Sequence, residues 1–589
     1  MSASAALKAK AAKAGILLEP RWSGAPDVPT ETLEALCELL GERPPSPAPP
    51  AETEQAFVPQ AVDERRRFGV ALQLYQLRSE RNFGVGDLGD LHPLIRHFAA
   101  EGADFIGLNP LHALFTAAPE RASPFSPSDR RFLNPLIIAV EEITGAAGVD
   151  RQSLSIPDSA EKVDYTAAAT AKLAALKRAH TDWQTASSPA EQSDFNSFVK
   201  EGGEALGDFA LFEALSHHMV SDGHGAGWTD WPAAFRAKDA AEVASFAESH
   251  SAEIEFQLFL QFIAAKQLAR AQAEAREAGM AIGLYLDLAV GTAPDGAATW
   301  ADPTLAMAGV RVGAPPDFFS AEGQDWGLAP LSPTILAARG FAPYRDVLSA
   351  VLGPAGAARI DHAMGLERLY LIPEGTTALS GAYVSYDGLT DCLISATHDH
   401  QSLAIGEDLG VVPEGFRERM GARRIFAMRI LPFERDGALM RAPAAYPRDA
   451  LACLSTHDLA PLAAWWAGLE IDTRVAVAGL SPADARAAHA ARRGEKELIL
   501  SLAGLPPGRA ADPLGDDLVL FIHRIVARSA SRLVAVRLED VVGGTRLVNL
   551  PGTDREHPNW RHTLPLTVGE IIASERLSRV FQIMREERG

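Results

Sequence analysis

Cysteine is scarce in this chain. Its 589 residues hold three, Cys37, Cys392 and Cys453, with no CxxC spacing among them. So sparse and odd a set excludes a disulfide framework and a zinc–thiolate site, and it fits a reducing compartment. Basic charge is also in deficit. Fifty-five lysines and arginines stand against 76 acidic residues, a net charge of −21. A surface of that sign repels phosphate backbones, so nucleic acid is not expected as a partner. Long apolar runs are missing too: none reaches the roughly 18 residues needed to cross a bilayer. The opening residues, Met1 to Lys8, lack the apolar core of a signal peptide. The expectation is a cytoplasmic protein without a membrane partner.

What is present is apolar bulk. Hydrophobic residues make up 47% of the chain, ample for a large core. The length exceeds the ~250–300 residues at which one core stops growing, so one large domain with insertions, or two to three domains, is expected. No repeat of fixed period is visible. Residues 1–42 read as short helices of a small N-terminal domain. Arg43-Pro-Pro-Ser-Pro-Ala-Pro-Pro50 then opens a linker over 43–65, because its prolines cannot donate backbone hydrogen bonds and favour extended chain.

From residue 66 to 589, short apolar runs alternate with amphipathic stretches. The runs are Gly69–Tyr75, Asp104–Leu108, Ala281–Asp287, Ala358–Asp361, Leu403–Glu407, Ile425–Ile430, Leu451–Thr456 and Leu533–Arg537. Continuous apolar runs suit parallel strands buried on both faces. Eight β/α units predict an α/β fold, a (β/α)8 TIM barrel. The spacing is uneven, which predicts inserted helical subdomains over about 112–280 and 466–528.

In such a barrel, residues at the C-terminal ends of the strands face one shared site. Asp287, Asp361, Glu407 and Asp458 stand at or just beyond four of those ends. A lone acid after a strand is as readily a helix cap; four in such contexts are not. Glycoside chemistry needs such a set: one carboxylate attacks the anomeric carbon and a second protonates the leaving oxygen. Arg359 lies two residues before Asp361, so both side chains share a strand face. The cation is expected to keep Asp361 ionised, although a structural ion pair would give the same spacing.

At these residues the chain resembles the 4-α-glucanotransferases of the amylomaltase (disproportionating enzyme) family, relatives of the α-amylases. The resemblance runs from about Phe68 to Leu564. It rests on Ser79-Glu-Arg-Asn-Phe-Gly-Val-Gly-Asp-Leu-Gly89, Gly313-Ala-Pro-Pro-Asp-Phe-Phe-Ser320, Gly323-Gln-Asp-Trp-Gly-Leu328, Arg359-Ile-Asp-His-Ala-Met-Gly365, Ile405-Gly-Glu-Asp-Leu-Gly410, Ser455-Thr-His-Asp-Leu459 and Asn549-Leu-Pro-Gly-Thr553, in the family's order. The separate N-terminal domain is similar to that of the longer bacterial members.

The resemblance implies transfer of α-1,4-glucan segments between maltodextrins, with retention and through a covalent intermediate. It implies Asp361 as nucleophile, Glu407 as general acid and base, and Asp458 as the group that grips the sugar's 2- and 3-hydroxyls. Substrate contacts would fall to Asp287, Arg359, His362, His457 and Asn549, and Trp326 with Gln324 would sit beside the acceptor glucose. No metal and no organic cofactor are implied. Ser123-Pro-Phe125 departs from the family's Ser-Pro-Tyr: Phe125 keeps the ring face that packs on the reacting glucose and loses the hydroxyl.

Other readings stay open at this point. A hydrolase would use the same carboxylates and differ only in the second step. Gly84-Val-Gly-Asp-Leu-Gly89 matches the dinucleotide pattern of an NAD-dependent oxidoreductase, but polar Gln76–Phe83 intervenes after the strand, and a flexible loop into a helix is the plainer reading. A glucan-binding protein without catalysis would not need a nucleophile and acid pair. His398-Asp-His400 and His217-His218 read as a solvated turn and a surface helix rather than metal ligands. Trp465-Trp466 reads as packing or as a sugar platform. The Gly313–Ser332 segment, rich in glycine and proline, reads as a loop arching over the cleft.

Overall fold

The computed structural model describes every residue except 1, 2, 23, 44–53, 147, 148, 150–153, 158, 159, 317–321 and 554. Eight parallel strands close into a barrel in chain order: β1 Arg67–Leu72, β2 Phe105–Leu108, β3 Gly283–Leu288, β4 Ala357–Ile360, β5 Leu403–Gly406, β6 Phe426–Ile430, β7 Ala450–Cys453 and β8 Leu533–Arg537. Each coincides with one of the apolar runs. The first run overshoots its strand, since Leu74–Gln76 turns into a 3-10 helix. Every residue of β2, β3, β4, β5, β7 and β8 is buried, as parallel strands covered on both faces require.

Alternate strand residues, among them Phe105, Tyr285, Leu403, Ile405, Met428, Leu451 and Leu533, form one apolar cluster. Val62 joins it from a short helix, Gln60–Glu64, inside the stretch expected to be linker. Beside Val62, Asp63 pairs with Arg424 and Arg532, which precede β6 and β8. This helix therefore closes the N-terminal end of the barrel. The proline-rich part of the expected linker, 44–53, lies outside the described residues.

Between β2 and β3 the chain forms a two-stranded ribbon, His112–Ala113 with Asp129–Leu133, and four helices: Tyr165–Ala186, Pro189–Ser221, Ala241–Ser249 and Ser251–Glu277. The last of these packs on β3 and on helix Leu88–Ala100. Between β7 and β8, helices Leu469–Val477 and Pro482–Leu502 precede Asp516–Ala527, which packs against the C-terminal helix Glu575–Arg588.

A second sheet was not expected. Val310–Ala314, Gln324–Leu328, Arg368–Pro373 and Ala382–Ser385 form a four-stranded antiparallel sheet beside the barrel mouth. Among the described residues of the Gly313–Ser332 stretch, Gly313, Ala314 and Gln324–Leu328 are strand, where a loop was expected. Glycine hides the strand from a pattern search, yet the fold demands it: a Cβ at Gly313 would lie 2.1 Å from the Gln324 carbonyl oxygen. Asp317 and the rest of 317–321 fall outside the described residues. Helices Ala5–Lys13 and Thr30–Leu40 contribute Ala11, Leu33, Leu36 and Leu40 to an apolar core that also contains residues of this sheet and of the barrel.

The glycine turn at 84–89 is buried and runs straight into a helix. Asp87 caps helix Leu88–Ala100, with Asp90 completing a capping box. Lys172, fully buried on helix Tyr165–Ala186, donates to Asp87 Oδ2 and to the Leu136 carbonyl, both at 2.7 Å. Arg81 also pairs with Asp87. This polar knot ties the β2–β3 insertion to the barrel. Removing one partner of a buried pair leaves the other charge without compensation. Lys172→Met is expected to lower stability on the order of 3 kcal/mol, read from the denaturant midpoint; a change within about 0.5 kcal/mol, the range of an indifferent surface site, would contradict the tether.

Candidate active site

Register brings the acids together. Ile360 of β4 pairs with Gly406 of β5, and the Glu407 N–H donates to the Ile360 carbonyl at 3.0 Å. Asp361 and Glu407, each one residue further on, therefore stand side by side on the C-terminal rim of adjacent strands. On the other flank, Asp287 of β3 pairs in register with Arg359 of β4. The loop after β7 brings His457 and Asp458 to the same mouth. A cleft of about 3210 Å³ opens there. Ser123, Phe125, Gln324, Trp326, Arg359, Asp361, His362, Glu407, His457, Asp458 and Asn549 all line it.

Asp287 does not line the cleft. It is buried behind Arg359, whose Nη1 reaches both of its oxygens at 2.7 and 2.9 Å. In the structure it is a counter-ion of Arg359. Nη2 of the same guanidinium lies 2.9 Å from Asp361 Oδ1. Burial opposes the Arg359 charge, but Asp287, Asp361 and Glu407 outweigh it and hold the group firmly protonated.

One cation shared between two carboxylates does not fully compensate either. Burial pushes Asp287 up to about 6, against the pull of Arg359. Burial likewise raises Asp361 above its ordinary value, with Asp458 adding to the rise and Arg359 opposing it. The expected pull of Arg359 on Asp361 is present, but burial acts against it and the net direction is upward.

Glu407 is pushed up to about 7 by burial, with Arg359 lowering it and Asp361 raising it. Its Oε2 accepts the His362 backbone N–H at 2.9 Å and its Oε1 accepts the Leu409 N–H at 2.8 Å. The first of these bonds depends on a backbone twist. His362 sits at φ 47°, ψ 62°, in the left-handed region, a sparsely populated conformation for a residue other than glycine. Its ring meets Trp326 edge-on, with centroids 5.0 Å apart. Trp326 in turn donates from Nε1 to Gln324 Oε1 at 3.1 Å.

Asp458 is set apart from the other acids. Its side chain is 44% exposed to the cleft. Crowding at the cleft floor opposes its charge, but His457, with Nε2 at 3.2 Å, and the Asn549 amide, at 2.7 Å, reverse the balance and hold it well below the usual carboxylate range. Phe125 stacks on His457, with centroids 4.7 Å apart, and Trp560 closes against both rings at 5.3 Å. The site therefore places a carboxyl that burial has raised toward neutrality beside a second carboxyl bound to a guanidinium. A third stays charged and accessible. That is the division of roles acid–base and nucleophilic chemistry requires.

Four residues of the site went unrecognised in the sequence. Trp560 follows no motif; its signal was an aromatic in an otherwise polar turn. Phe433, 42% exposed, also lines the cleft. Arg537 ends β8, and its Nη1 donates to Ser455 Oγ and to the Thr456 and Leu459 carbonyls, at 3.1, 2.6 and 2.9 Å. Asp540 accepts from Ser455 Oγ at 2.8 Å and from the Leu462 N–H at 2.7 Å. Together they pin the loop that carries His457 and Asp458. Position at a strand end, which singled out the four acids, would have found Arg537 had cations been considered. Trp465 lines the cleft, and the Arg492 guanidinium lies 4.5 Å from its ring. Among the described residues, no group of three potential metal ligands exists, and no helix is long and apolar enough to cross a membrane.

Comparison with known proteins agrees with this geometry. A family model described as 4-alpha-glucanotransferase matches residues 72–567. The 4-alpha-glucanotransferase of Haemophilus influenzae is 35% identical, over 89% of this chain and 79% of that protein. The one from Mycobacterium tuberculosis is 36% identical, over 90% of this chain and 76% of that protein. Among solved structures, amylomaltase from Corynebacterium glutamicum superposes with a TM-score of 0.79 at 30% identity, covering 90% of this chain and 77% of that one. Amylomaltase from Streptococcus agalactiae, solved in complex with acarbose, shares the fold with a TM-score of 0.73 at 18% identity, covering 89% and 99%.

Arg359→Met tests the electrostatics. Without the guanidinium, Asp287 and Asp361 rise further above their unfolded values. The native state then holds protons that the unfolded chain has released, so stability falls as pH rises. The variant is expected to lose about 3–5 kcal/mol at pH 8 and clearly less at pH 5, by denaturant unfolding at both pH values. An equal loss at both would contradict the shared-cation arrangement.

Proposed function

Because the chain belongs to the 4-alpha-glucanotransferase family and is an enzyme of that class, we propose that it transfers α-1,4-glucan segments between maltodextrins by double displacement with retention. The observation that carries this reading is the pairing of Asp361 and Glu407 on adjacent strands. Backbones about 4.8 Å apart permit the ~5–5.5 Å carboxyl separation of a retaining pair.

In the first step Asp361 attacks the anomeric carbon and Glu407 protonates the departing 4-oxygen. The donor's non-reducing part is then an ester on Asp361. In the second step Glu407, now a carboxylate, takes the proton of the acceptor's 4-hydroxyl as that oxygen attacks the same carbon and Asp361 leaves. Asp458 is charged and open to the cleft, suited to hold the 2- and 3-hydroxyls of the reacting ring as it flattens. Asn549 and His457 orient Asp458, and Arg359 orients Asp361. Phe125, stacked on His457, offers an aromatic face to the same sugar, with Ser123 on its loop; it bears no hydroxyl to bond a carboxylate. The shape of Trp326 and Gln324 on the sheet edge suits a platform for the acceptor glucose. Water and sugar compete for the same ester, and a bound acceptor positions its hydroxyl while excluding water. The dinucleotide reading has no support in the capped, knotted turn at 84–89. Three buried, unpaired cysteines suit a cytoplasmic enzyme.

Incubation with maltotriose tests the reading. A ladder of longer maltodextrins plus glucose is expected; maltose and glucose alone would mean a hydrolase. In the same assay Trp326→Ala should raise the ratio of hydrolysis to transfer, and a ratio unchanged from the parent would remove Trp326 from the acceptor site. Glu407 must carry a proton to act as acid, and its pKa lies near 7. The kcat/KM on maltotriose should therefore fall as pH rises through about 7. A profile flat from pH 6 to 9 would assign the proton to another group.

A further inference from the structure

The second sheet has two edges. One carries Gln324 and Trp326. The other, Ala382–Ser385, is covered by the N-terminal segment. Leu17 N–H donates to the Tyr383 carbonyl at 2.8 Å, Ser385 N–H donates to the Gly15 carbonyl at 2.9 Å, and Ile16 pairs with Val384 in an antiparallel bridge. The segment thus adds a rudimentary strand to the sheet. Two of its side chains go further. Arg21, 2% exposed, donates from Nη1 to the Leu379 and Gly381 carbonyls, both at 2.7 Å. Thr32, also 2% exposed, donates from Oγ1 to the Ser380 carbonyl at 2.7 Å. Three successive carbonyls of one turn are satisfied by the N-terminal segment.

That turn backs the hairpin on which Trp326 stands. A Cβ at Gly323 would lie 2.9 Å from Ala378 Cβ, so the two turns are in close contact next to Gln324. Tyr370, a cleft-lining residue on the central strand Arg368–Pro373, donates its hydroxyl to the Ala378 carbonyl at 2.6 Å. The path runs from Arg21 and Thr32 to the 378–381 turn, and from there to Gly323, Gln324 and Trp326.

We propose that Arg21 and Thr32 are positioning residues for the acceptor site, holding the 378–381 turn so that the Gln324–Trp326 edge meets the cleft in the geometry that favours a sugar acceptor over water. This rests on the reading of Trp326 as the acceptor platform. The Gly381 carbonyl is buried and those of Leu379 and Ser380 are part-buried; on losing their donors they turn to water or to other groups, and the turn moves to find them. A shift near 1 Å at a positioning group is enough to cost a transfer step heavily. Asp361 on the barrel rim is not on this path; Trp326 touches Glu407 only through His362, and departure of fluoride does not need the Glu407 proton.

The experiment compares Arg21→Met, Trp326→Ala and the double variant in the full chain. Hydrolysis and transfer are read from maltotriose products, and the first step from fluoride release by α-maltosyl fluoride. Arg21→Met should raise the hydrolysis-to-transfer ratio roughly three- to tenfold, as a misplaced acceptor would, with the KM for acceptor increased and fluoride release within about twofold of the parent, since the first-step groups keep their positions. The double variant should show no higher ratio than Trp326→Ala alone, because both act through one group. If Trp326→Ala moves the ratio and Arg21→Met does not, the positioning role fails while the acceptor reading stands. If Trp326→Ala leaves the ratio unchanged, the acceptor reading fails and the positioning role with it. Equal loss of fluoride release and transfer in Arg21→Met would show a merely structural residue and overturn the proposal. Should Arg21→Met not fold, the near-isosteric Thr32→Val decides: a raised ratio supports the role and an unchanged ratio overturns it.

Discussion

One guanidinium holds the catalytic floor together. Arg359 lies buried between Asp287 and Asp361, and its own charge is fixed by the acids around it. A charge so deep is tolerated only when paired, and the pairing must be geometrically exact enough to offset desolvation. The barrel supplies that geometry. Strand register puts Asp287 opposite Arg359, and alternation along β4 puts Asp361 on the same face. Because Asp287 takes two of the cation's contacts, Asp361 is left incompletely neutralised. Incomplete neutralisation suits the role proposed for Asp361, whose carboxylate gives up its charge to carbon and regains it within one cycle.

The remaining differences among the acids follow from position. Glu407 lies on the neighbouring strand, buried, bonded by two backbone N–H groups, and near Asp361; the net effect is a proton held near neutral pH. Asp458 lies on a loop, open to the cleft, with a histidine and an amide beside it, and keeps its charge. A single rim of parallel strands therefore carries three carboxyls in three states. Arg537 and Asp540 fix the Asp458 loop from behind, and the aromatic cluster of Phe125, His457 and Trp560 closes one wall.

Much of this was legible in the sequence. Each barrel strand announced itself as a short apolar run, since strands buried on both faces have no polar side to disguise them. The acids were legible because they ended such runs. The accessory sheet was not legible as a unit: its strands are short and antiparallel, Gly313 and Gly327 interrupt two of them, and the apolar run Arg368–Pro373 carries no local sign of which strands it pairs with. Helix Gln60–Glu64 was hidden by its neighbouring prolines. The pairing of Asp287 with Arg359 could not be read either, because a carboxylate facing substrate and one facing a buried arginine occupy the same position in a strand pattern. Nor could the pKa of Asp361, which depends on how two acids divide one cation. Trp560 and Arg21 reach their partners across hundreds of residues of chain, with no local pattern to mark them.

Trapping the ester tests the double displacement most directly. In Glu407→Gln an activated donor such as α-maltosyl fluoride can still load the nucleophile, since fluoride leaves without protonation, while no base remains to activate the acceptor. Intact-mass spectrometry should show a maltosyl adduct, and peptide mapping should place it on Asp361. An adduct on Asp458, Asp287 or any other carboxylate, or steady turnover with no adduct and inverted product, would contradict the account.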